Sequence, residues 1–379
     1  MSANFRNFVA TRSTCQDGLP EVERRCRADG RPGFFFWWLP SAASGPIAIS
    51  PLDLGHTQAN TSRVKFRVLV SSLLLAVASI SAVRARPRQA AGPSELPKPA
   101  APLTPEVLEI YKNAHTVIDW TPRQIHDCPI LHKLREAGSQ DQLPMVLDRV
   151  GQTVALLFRE FPRIACDEEV VSDATSREHR GTPANARKFR YIAIARSVGN
   201  FQGFEEYRTD LKGNPVDAAR LGSFFLITSN YISTCLYLSP ADERASHFRH
   251  FGIQTIRGRT CHVVGFAQDP ERMRRFNTFQ VQDTKVIVLV QGLAWIDSET
   301  FEILRIVTWL LAPRKDIGLT SQGSTVDFYP VQPSGFERVL WLPRDVIVVT
   351  YYRGIGYVNK HRYSNFKLFR VDSTIKPAE

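Results

Sequence analysis

The sequence predicts an α+β protein in which a curved antiparallel sheet, an incomplete β-barrel, wraps around one or two helices behind an N-terminal helical segment. Three observations predict this class. Val286–Ala312 has two apolar arms around the turn Asp297–Thr300, the composition of a central β-hairpin. Apolar residues recur at helical spacing over Gln142–Phe161. From Ile164 onward the period is mostly that of strands, and a sheet of about nine or ten strands curls rather than staying flat.

The N-terminal third carries features of targeting rather than of a packed fold. Arg63, Lys65 and Arg67 precede the apolar run Val68–Ile80, and Val83–Ala85 offers small residues for cleavage. The apolar run is too short to span a bilayer, which takes about 20 residues. We therefore expect a secretory signal peptide and a periplasmic or secreted location, with no transmembrane helix after processing.

The expected organisation follows from this assignment. It comprises a non-native or disordered extension at 1–62, the signal peptide at 63–85, a Pro/Ala-rich linker at 86–103, a helical segment at 104–162 and an antiparallel β half-barrel at 163–375. Translation from Val64, read as an alternative start codon, would make the extension 1–62 foreign to the natural product.

Several local signals place the helices. Thr104 followed by Pro105 is typical of a helix start, and Pro162 ends the second helix. Leu221–Leu238 is ambiguous, because its apolar residues fit a helix while its Thr, Ile and Tyr content suits a strand; its length favours a helix. A β-bulge is expected near Ser364-Asn365, where the aromatic residues break strict alternation.

The basic charge of the chain is concentrated at its N-terminus. The formal net charge is +11, but residues 90–379 hold 36 basic and 32 acidic residues. Nucleic-acid binding proteins carry a clustered basic face, and none is visible here. The short run Arg272–Arg275 beside Lys285 is the best anion patch, and a solvated loop is its simpler explanation.

Four cysteines follow the signal segment: Cys128, Cys166, Cys235 and Cys261. An exported chain folds in an oxidising compartment, so one structural disulfide and four buried free thiols are both open, and four cysteines allow three pairings. The sequence has no CxxC pair or Cys/His spacing typical of zinc sites, and it predicts no metal or other cofactor.

Four segments carry a resemblance to known families: Ile118–Ile125, Gln140–Val170, Glu206–Val216 and Gly292–Ile306. They resemble a family of uncharacterised secreted proteins of acidobacterial type, over nearly all of 104–375. The β-rich part is also similar to periplasmic lipoprotein carriers and outer-membrane lipoprotein receptors. That second resemblance implies an incomplete barrel closed by helices around an apolar cavity, and neither resemblance supplies catalytic residues.

Catalytic chemistry has little support in the sequence. His247 and His250 are three apart, so on a strand they point to opposite faces and make a poor metal pair. Glu168-Glu169 and Glu205-Glu206 are adjacent carboxylates. Alternation along a strand allows one residue from each pair to share a site, but solvated strand faces are the simpler interpretation. No GxSxG motif or phosphate-binding glycine loop occurs, and Arg353–Gly356 is interpreted as a hairpin turn. We therefore expect a protein that is not an enzyme.

Two hypotheses remain for the function. The first is a cell-envelope carrier that holds a lipid, a lipoprotein acyl chain or another hydrophobic ligand, with Trp295, Trp309 and Phe328 as expected lining residues. The second is a structural or interaction module with a filled core that presents its sheet to envelope proteins. An open cavity favours the first hypothesis and a closed core the second, and a buried Glu or His in a perturbed environment would reopen a hydrolytic role.

Overall fold

A computed structural model of the chain describes residues 100–160, 163–175, 185–198, 201–216, 231–273, 277–281, 284–334 and 336–368. The α-helices are α1 (Pro105–Lys112), α2 (Pro122–His126) and α3 (Leu143–Glu160). Short 3-10 helices lie at Val117–Asp119, Pro129–Leu131, Ile232–Leu238, Glu243–Ala245 and Lys315–Ile317. The strands are β1 (Arg135–Glu136), β2 (Arg163–Thr175), β3 (Asn185–Val198), β4 (Phe201–Thr209), β5 (Ser246–Ile256), β6 (Arg259–Gln268), β7 (Asn277–Val281), β8 (Thr284–Val288), β9 (Val290–Asp297), β10 (Ile303–Leu310), β11 (Leu319–Val331), β12 (Leu340–Tyr352) and β13 (Ile355–Leu368).

Most strands belong to one curved sheet with the order β1-β5-β6-β9-β10-β11-β12-β13-β2-β3-β4. Every neighbouring pair is antiparallel. The two end strands do not pair with each other, so the sheet is not closed into a barrel. This confirms the predicted fold class. The C-terminal strand β13 pairs with β2, which joins the first long strand of the chain to the last.

The β9–β10 hairpin confirms the predicted turn. One oxygen of the Asp297 carboxylate accepts hydrogen bonds from the backbone N–H groups of Glu299 and Thr300, at 3.1 and 2.8 Å. Such bonds stabilise a turn by satisfying backbone donors locally. The first predicted arm is shorter than expected, because Thr284–Val288 leaves the large sheet and pairs with β7 in a separate two-stranded sheet.

The two faces of the large sheet are covered differently. We call the face under α3 and the 3-10 helix Ile232–Leu238 the inner face, and the opposite face, under residues 105–134, the outer face. α3 packs on the inner face through the apolar residues Val146, Leu147, Val150, Val154 and Phe158. Its sequence-predicted amphipathic pattern is therefore confirmed.

The N-terminal segment attaches to the outer face through specific contacts. Thr104 caps α1, since its hydroxyl accepts a hydrogen bond from the Val107 backbone N–H at 3.4 Å. The Val117 N–H donates to the buried Gln291 side chain of β9 at 2.6 Å. Trp120 stacks on Trp309 with ring centroids 5.9 Å apart. Both faces of the central strands are thus covered.

The structure departs from the helix predicted over Leu221–Leu238. Residues 221–230 lie outside the described residues, and Ile232–Leu238 is a 3-10 helix. Side chains in this stretch compete for backbone carbonyls, because the Thr234 hydroxyl donates to the Tyr231 oxygen at 2.6 Å and the Cys235 thiol to the Ile232 oxygen at 3.0 Å. Such local bonds favour tight turns over a regular α-helix.

The predicted bulge near Ser364-Asn365 of β13 is confirmed, because the β13–β2 register shifts there and Asn365 has a φ of 55°. The hairpin turn predicted at Arg353–Gly356 is confirmed between β12 and β13, where the two turn residues are Arg353 and Gly354, and Ile355 and Gly356 already belong to β13. The four cysteines are buried free thiols, which decides between the two alternatives. Burial raises the pKa of Cys128 to about 11 and that of Cys261 to about 12.

Candidate functional site

A cleft opens on the inner face where α3, the 3-10 helix Ile232–Leu238 and the strands β10–β12 meet. Its volume is about 250 Å³, including the part open to solvent, and the enclosed part has room for about one water molecule. The lining is mostly apolar and consists of Thr153, Val154, Leu157, Cys235, Glu302, Ile303, Phe328 and Trp341. The rest of the described inner face beneath α3 carries a cluster of buried apolar side chains.

Glu302 is the carboxylate of this cleft. It lies between the hairpin turn and the first residue of β10, and it is half-buried. Burial, reinforced by the negative charge of Asp297, raises the pKa of Glu302 to about 7, although the positive charge of Arg338 acts in the opposite direction. Its carboxyl group is therefore divided between the charged and neutral forms near neutral pH.

A second feature of the inner face is a buried polar cluster centred on Glu168 of β2. The Arg208 guanidinium of β4 grips the Glu168 carboxylate through two nitrogens, with Nη2 at 2.7 Å from Oε1 and Nε bonded to Oε2. The His361 Nδ1 and the Tyr363 hydroxyl of β13 also lie 2.8 Å from Oε1. Glu168 is only 1% exposed, so these partners replace the water that it loses on folding.

The negative charge of Glu168 is compensated by the positive charge of Arg208, which contacts it directly. Burial alone would raise the pKa of Glu168, but the charge of Arg208 and the hydrogen bonds from His361 and Arg208 outweigh it and lower the pKa to about 2. Burial lowers the pKa of His361 despite the neighbouring carboxylate. Near neutral pH the cluster therefore holds an ionised Glu168, a charged Arg208 and a neutral imidazole.

The neutral His361 ring has a partner on each nitrogen. One tautomer satisfies both contacts: Nδ1–H donates to Glu168, and Nε2 accepts from the Tyr231 hydroxyl at 3.0 Å. Tyr231 immediately precedes the 3-10 helix on the inner face. The chain of carboxylate, imidazole and phenol therefore ties this helix to the sheet.

Glu206 of β4 makes a second tie to the same helix. Its carboxylate accepts hydrogen bonds from the Ser233 backbone N–H at 2.9 Å, from the Ser233 hydroxyl and from the Tyr191 hydroxyl. Burial raises the pKa of Glu206, although these bonds oppose the rise. Polar contacts thus attach the 3-10 helix to the inner face, whereas apolar contacts attach α3.

The described residues leave little space beside the polar cluster. The space beside it, lined by Tyr191, Tyr231, Ile232, Pro343, Tyr363 and Phe366, measures about 170 Å³ but admits no water molecule. A carboxylate and an imidazole in contact are suited to proton transfer, but chemistry needs a reacting group within hydrogen-bond reach. The geometry favours a role in anchoring the 3-10 helix.

The three lining residues predicted from sequence do not meet. Phe328 lies in the cleft on the inner face. Trp295 points to the outer face, where its indole N–H donates to Gln254 at 2.7 Å, and Trp309 lies there too under Trp120. Binding of a ligand by these three residues stays a prediction, and the structure adds Leu157, Glu302 and Trp341 beside Phe328.

The adjacent carboxylate pairs divide as alternation requires. Glu168 and Glu206 face the inner side and approach Arg208, whereas Glu169 and Glu205 are exposed. The interpretation that these carboxylates lie on solvated strand faces is therefore wrong for Glu168 and Glu206. Alternation along β2 and β4 was the available signal, but it could not show which alternate position lies beneath a cover.

The other candidate groups stay apart. His247 is exposed and lies 3.4 Å from Asp269, while buried His250 contacts His262 at 3.2 Å. Arg272 pairs with Asp269 at 3.5 Å, and residues 274–276 of the predicted anion patch lie outside the described residues. Among the residues that the structure describes, no three His, Cys, Asp or Glu side chains cluster as metal ligands.

Comparisons with known proteins give low similarity. No protein-family model matches the chain, and no curated protein matches it. Similar solved structures include a DUF1329 family protein from Desulfovibrio piger, at 10% identity and a TM-score of 0.35, covering 62% of this chain and 95% of that one. An outer-membrane lipoprotein-sorting protein domain from Vibrio parahaemolyticus matches at 10% identity and a TM-score of 0.33, covering 60% and 94%.

A third structure, the Mycobacterium tuberculosis lipoprotein LppX, has 10% identity and a TM-score of 0.20, covering 60% of this chain and 99% of that one. At these TM-scores the likenesses carry no inference about function. Within the described part of the chain, no helix has the length and apolar character needed to cross a membrane.

Proposed function

We propose that this protein is an exported binding protein of the cell envelope, which holds an acyl chain or a similar apolar ligand between α3 and the inner face of its sheet. The observation that carries the proposal is the cleft beside Leu157, Phe328 and Trp341. It connects solvent to the apolar inner face at a point where helices, rather than a second sheet, form the cover. Apolar clefts with few polar groups are the usual form of small-molecule sites.

Ligand entry requires the cover to shift, because the enclosed part of the cleft has room for about one water molecule. α3 is held to the sheet by apolar contacts, which a ligand chain can replace with contacts of its own. The 3-10 helix is held by the buried hydrogen bonds of Glu206 and His361, which an apolar chain cannot replace. α3 is therefore the part of the cover that moves.

The cluster of buried apolar side chains on the inner face supports a second candidate function. A core filled by its own side chains is what a structural or interaction module of the envelope requires, and such a module would bind partner proteins on its exposed surfaces without an internal ligand. The two functions differ in whether a small molecule accompanies the purified protein.

The test is native mass spectrometry of the full chain expressed for export in a Gram-negative bacterium, with organic extraction of any bound molecule. Thr153→Trp places a large ring at the cleft, and Ala155→Trp places the same ring on the exposed side of α3. We expect a co-purified lipid whose occupancy falls by about tenfold in the first variant and is unchanged in the second. A protein mass free of adducts, with no uptake of added dodecanol, would instead support the interaction module.

Export is tested on the same preparation. The signal segment at 63–85 predicts a mature N-terminus near Arg86, which N-terminal sequencing of the periplasmic fraction reads directly. Recovery of peptides from residues 1–62 in the exported protein would contradict the expected processing.

A further inference from the structure

The cleft contains one carboxyl group that the fold itself does not use. Among the described residues, the Glu302 carboxyl has no hydrogen-bond or ion-pair partner. Two other polar groups of the lining are occupied, because the Thr153 hydroxyl donates to the Arg149 oxygen at 3.2 Å and the Cys235 thiol donates to the Ile232 oxygen at 3.0 Å. Glu302 is thus an acceptor available to a ligand.

The other lining residues define where an apolar chain would lie. Leu157, Ile303, Phe328 and Trp341 are all in contact with the cleft, and Ile303 directly follows Glu302 in the chain. A ligand with its chain against these side chains brings its polar end to the Glu302 carboxyl. A half-buried carboxyl accepts hydrogen bonds from ammonium or hydroxyl groups, whereas a second carboxylate beside it would be repelled.

We propose that the cleft is selective for amphiphiles that end in a hydrogen-bond donor, above all a primary amine, and that Glu302 rejects fatty-acid carboxylates. This inference rests on the proposed function, since it names the ligand class of the same cleft. Glu302 is a specificity-determining residue in this account, and the apolar lining supplies the chain affinity.

The surroundings of Glu302 fix how this selectivity depends on pH. Among the described residues, the charged and titratable groups around it are Asp297 at the hairpin turn, Arg259 of β6, Arg149 near Phe301, Arg338 ahead of β12, and Cys235. Asp297 is paired with Arg259 at 2.6 Å, and burial raises the pKa of Glu302 to about 7. The preference for an amine over a carboxylate therefore increases as pH rises through 7, because Glu302 becomes charged.

The experiment compares dodecylamine, dodecanol and dodecanoate as ligands of the full chain, below their micelle-forming concentrations and at about pH 8. Calorimetry or quenching of tryptophan fluorescence gives the dissociation constants. We expect dodecylamine to bind at least about tenfold more tightly than dodecanoate, as one charge-assisted hydrogen bond allows. Glu302→Gln should reduce this ratio to within about threefold, and it should weaken dodecanol binding less than dodecylamine binding, because the Gln amide oxygen still accepts a hydrogen bond from a hydroxyl group but carries no charge.

Glu299→Gln is the matched control. Glu299 lies in the same turn, carries the same charge and is exposed, and it does not line the cleft. It should leave the ratio unchanged, which separates direct recognition from a general attraction of cations to this end of the protein. Equal binding of the three ligands, or an equal effect of the two variants, would overturn the selectivity and leave the binding function standing. No binding of any dodecyl compound would overturn both.

Discussion

Replacing Glu168 with Gln removes the negative charge at the centre of the buried polar cluster while keeping the size of the side chain. The variant removes the hydrogen-bonded counter-ion of the buried Arg208 guanidinium, and it weakens the bonds from His361 and Tyr363. Arg208 remains charged because the pKa of a guanidinium lies far above neutral pH. We therefore expect a large loss of folding stability.

Two independent lines give the size of the loss. Removing one partner of a buried ion pair costs about 3–5 kcal/mol. A Glu168 pKa of about 2, against an ordinary value of 4.5, corresponds to about 3 kcal/mol of stabilisation above pH 4.5. Because the pKa is lowered in the folded state, this stabilisation is complete above pH 4.5 and is lost as pH falls towards 2.

Urea unfolding of the full chain at neutral pH measures this loss, and two comparisons make it specific. Glu205→Gln breaks the pair with Arg196 on the neighbouring strand, where both side chains are more than half exposed, and should cost at most about 1 kcal/mol. Glu168→Gln combined with Arg208→Met removes the orphaned charge and should recover part of the loss. A cost for Glu168→Gln no larger than that for Glu205→Gln would refute the reasoning.

Three further predictions concern other parts of the fold, each measured by urea unfolding. Trp120→Ala removes a buried ring that stacks on a tryptophan of β10, and should cost about 3–5 kcal/mol, whereas Ile110→Ala at an exposed position should cost almost nothing. Gly292→Ala would place a Cβ 2.1 Å from a backbone oxygen of β10, and should destabilise the fold by about 1–3 kcal/mol, while Gly138→Ala, which meets nothing within 4 Å, is the control. Burial lowers the pKa of His250 from 6.5 to about 4, so the unfolded chain takes up a proton at a higher pH than the folded protein does. The free energy of unfolding should therefore decrease as pH falls from 6.5 to about 4, and this decrease should be smaller in His250→Gln. An equal decrease in the variant would contradict the lowered pKa of His250.

Local chemistry made part of the fold predictable from sequence. The residue types around Asp297 predict the turn, and the spacing of apolar residues predicts α3, because both features depend on neighbours within a few positions. The separate β7–β8 sheet was not predictable, since the run through Val286 continues into β9 without a turn signal. The pairing of β13 with β2 was not predictable either, because strands almost 200 residues apart carry no local mark of each other.

The candidate site depends on pairings between strands that the sequence does not specify. Glu168 and Arg208 meet only because β3 lies between their strands and brings both side chains to one face. Trp295 was predicted as a lining residue from its aromatic character, but β9 is buried on both faces, and the sequence does not show which face α3 covers. Phe328 was predicted as a lining residue on the same ground and does line the cleft. Aromatic character alone therefore could not show that Phe328 lies on the inner face and Trp295 on the outer face.

The claim that an apolar ligand enters the cleft is tested most directly by photo-crosslinking the full chain with a dodecanol that carries a diazirine at its chain end. We expect label on peptides that contain Leu157, Phe328 or Trp341, and loss of that label in Thr153→Trp. Label confined to peptides of the outer face around Trp295 and Trp309, or label that excess dodecanol does not compete away, would contradict it.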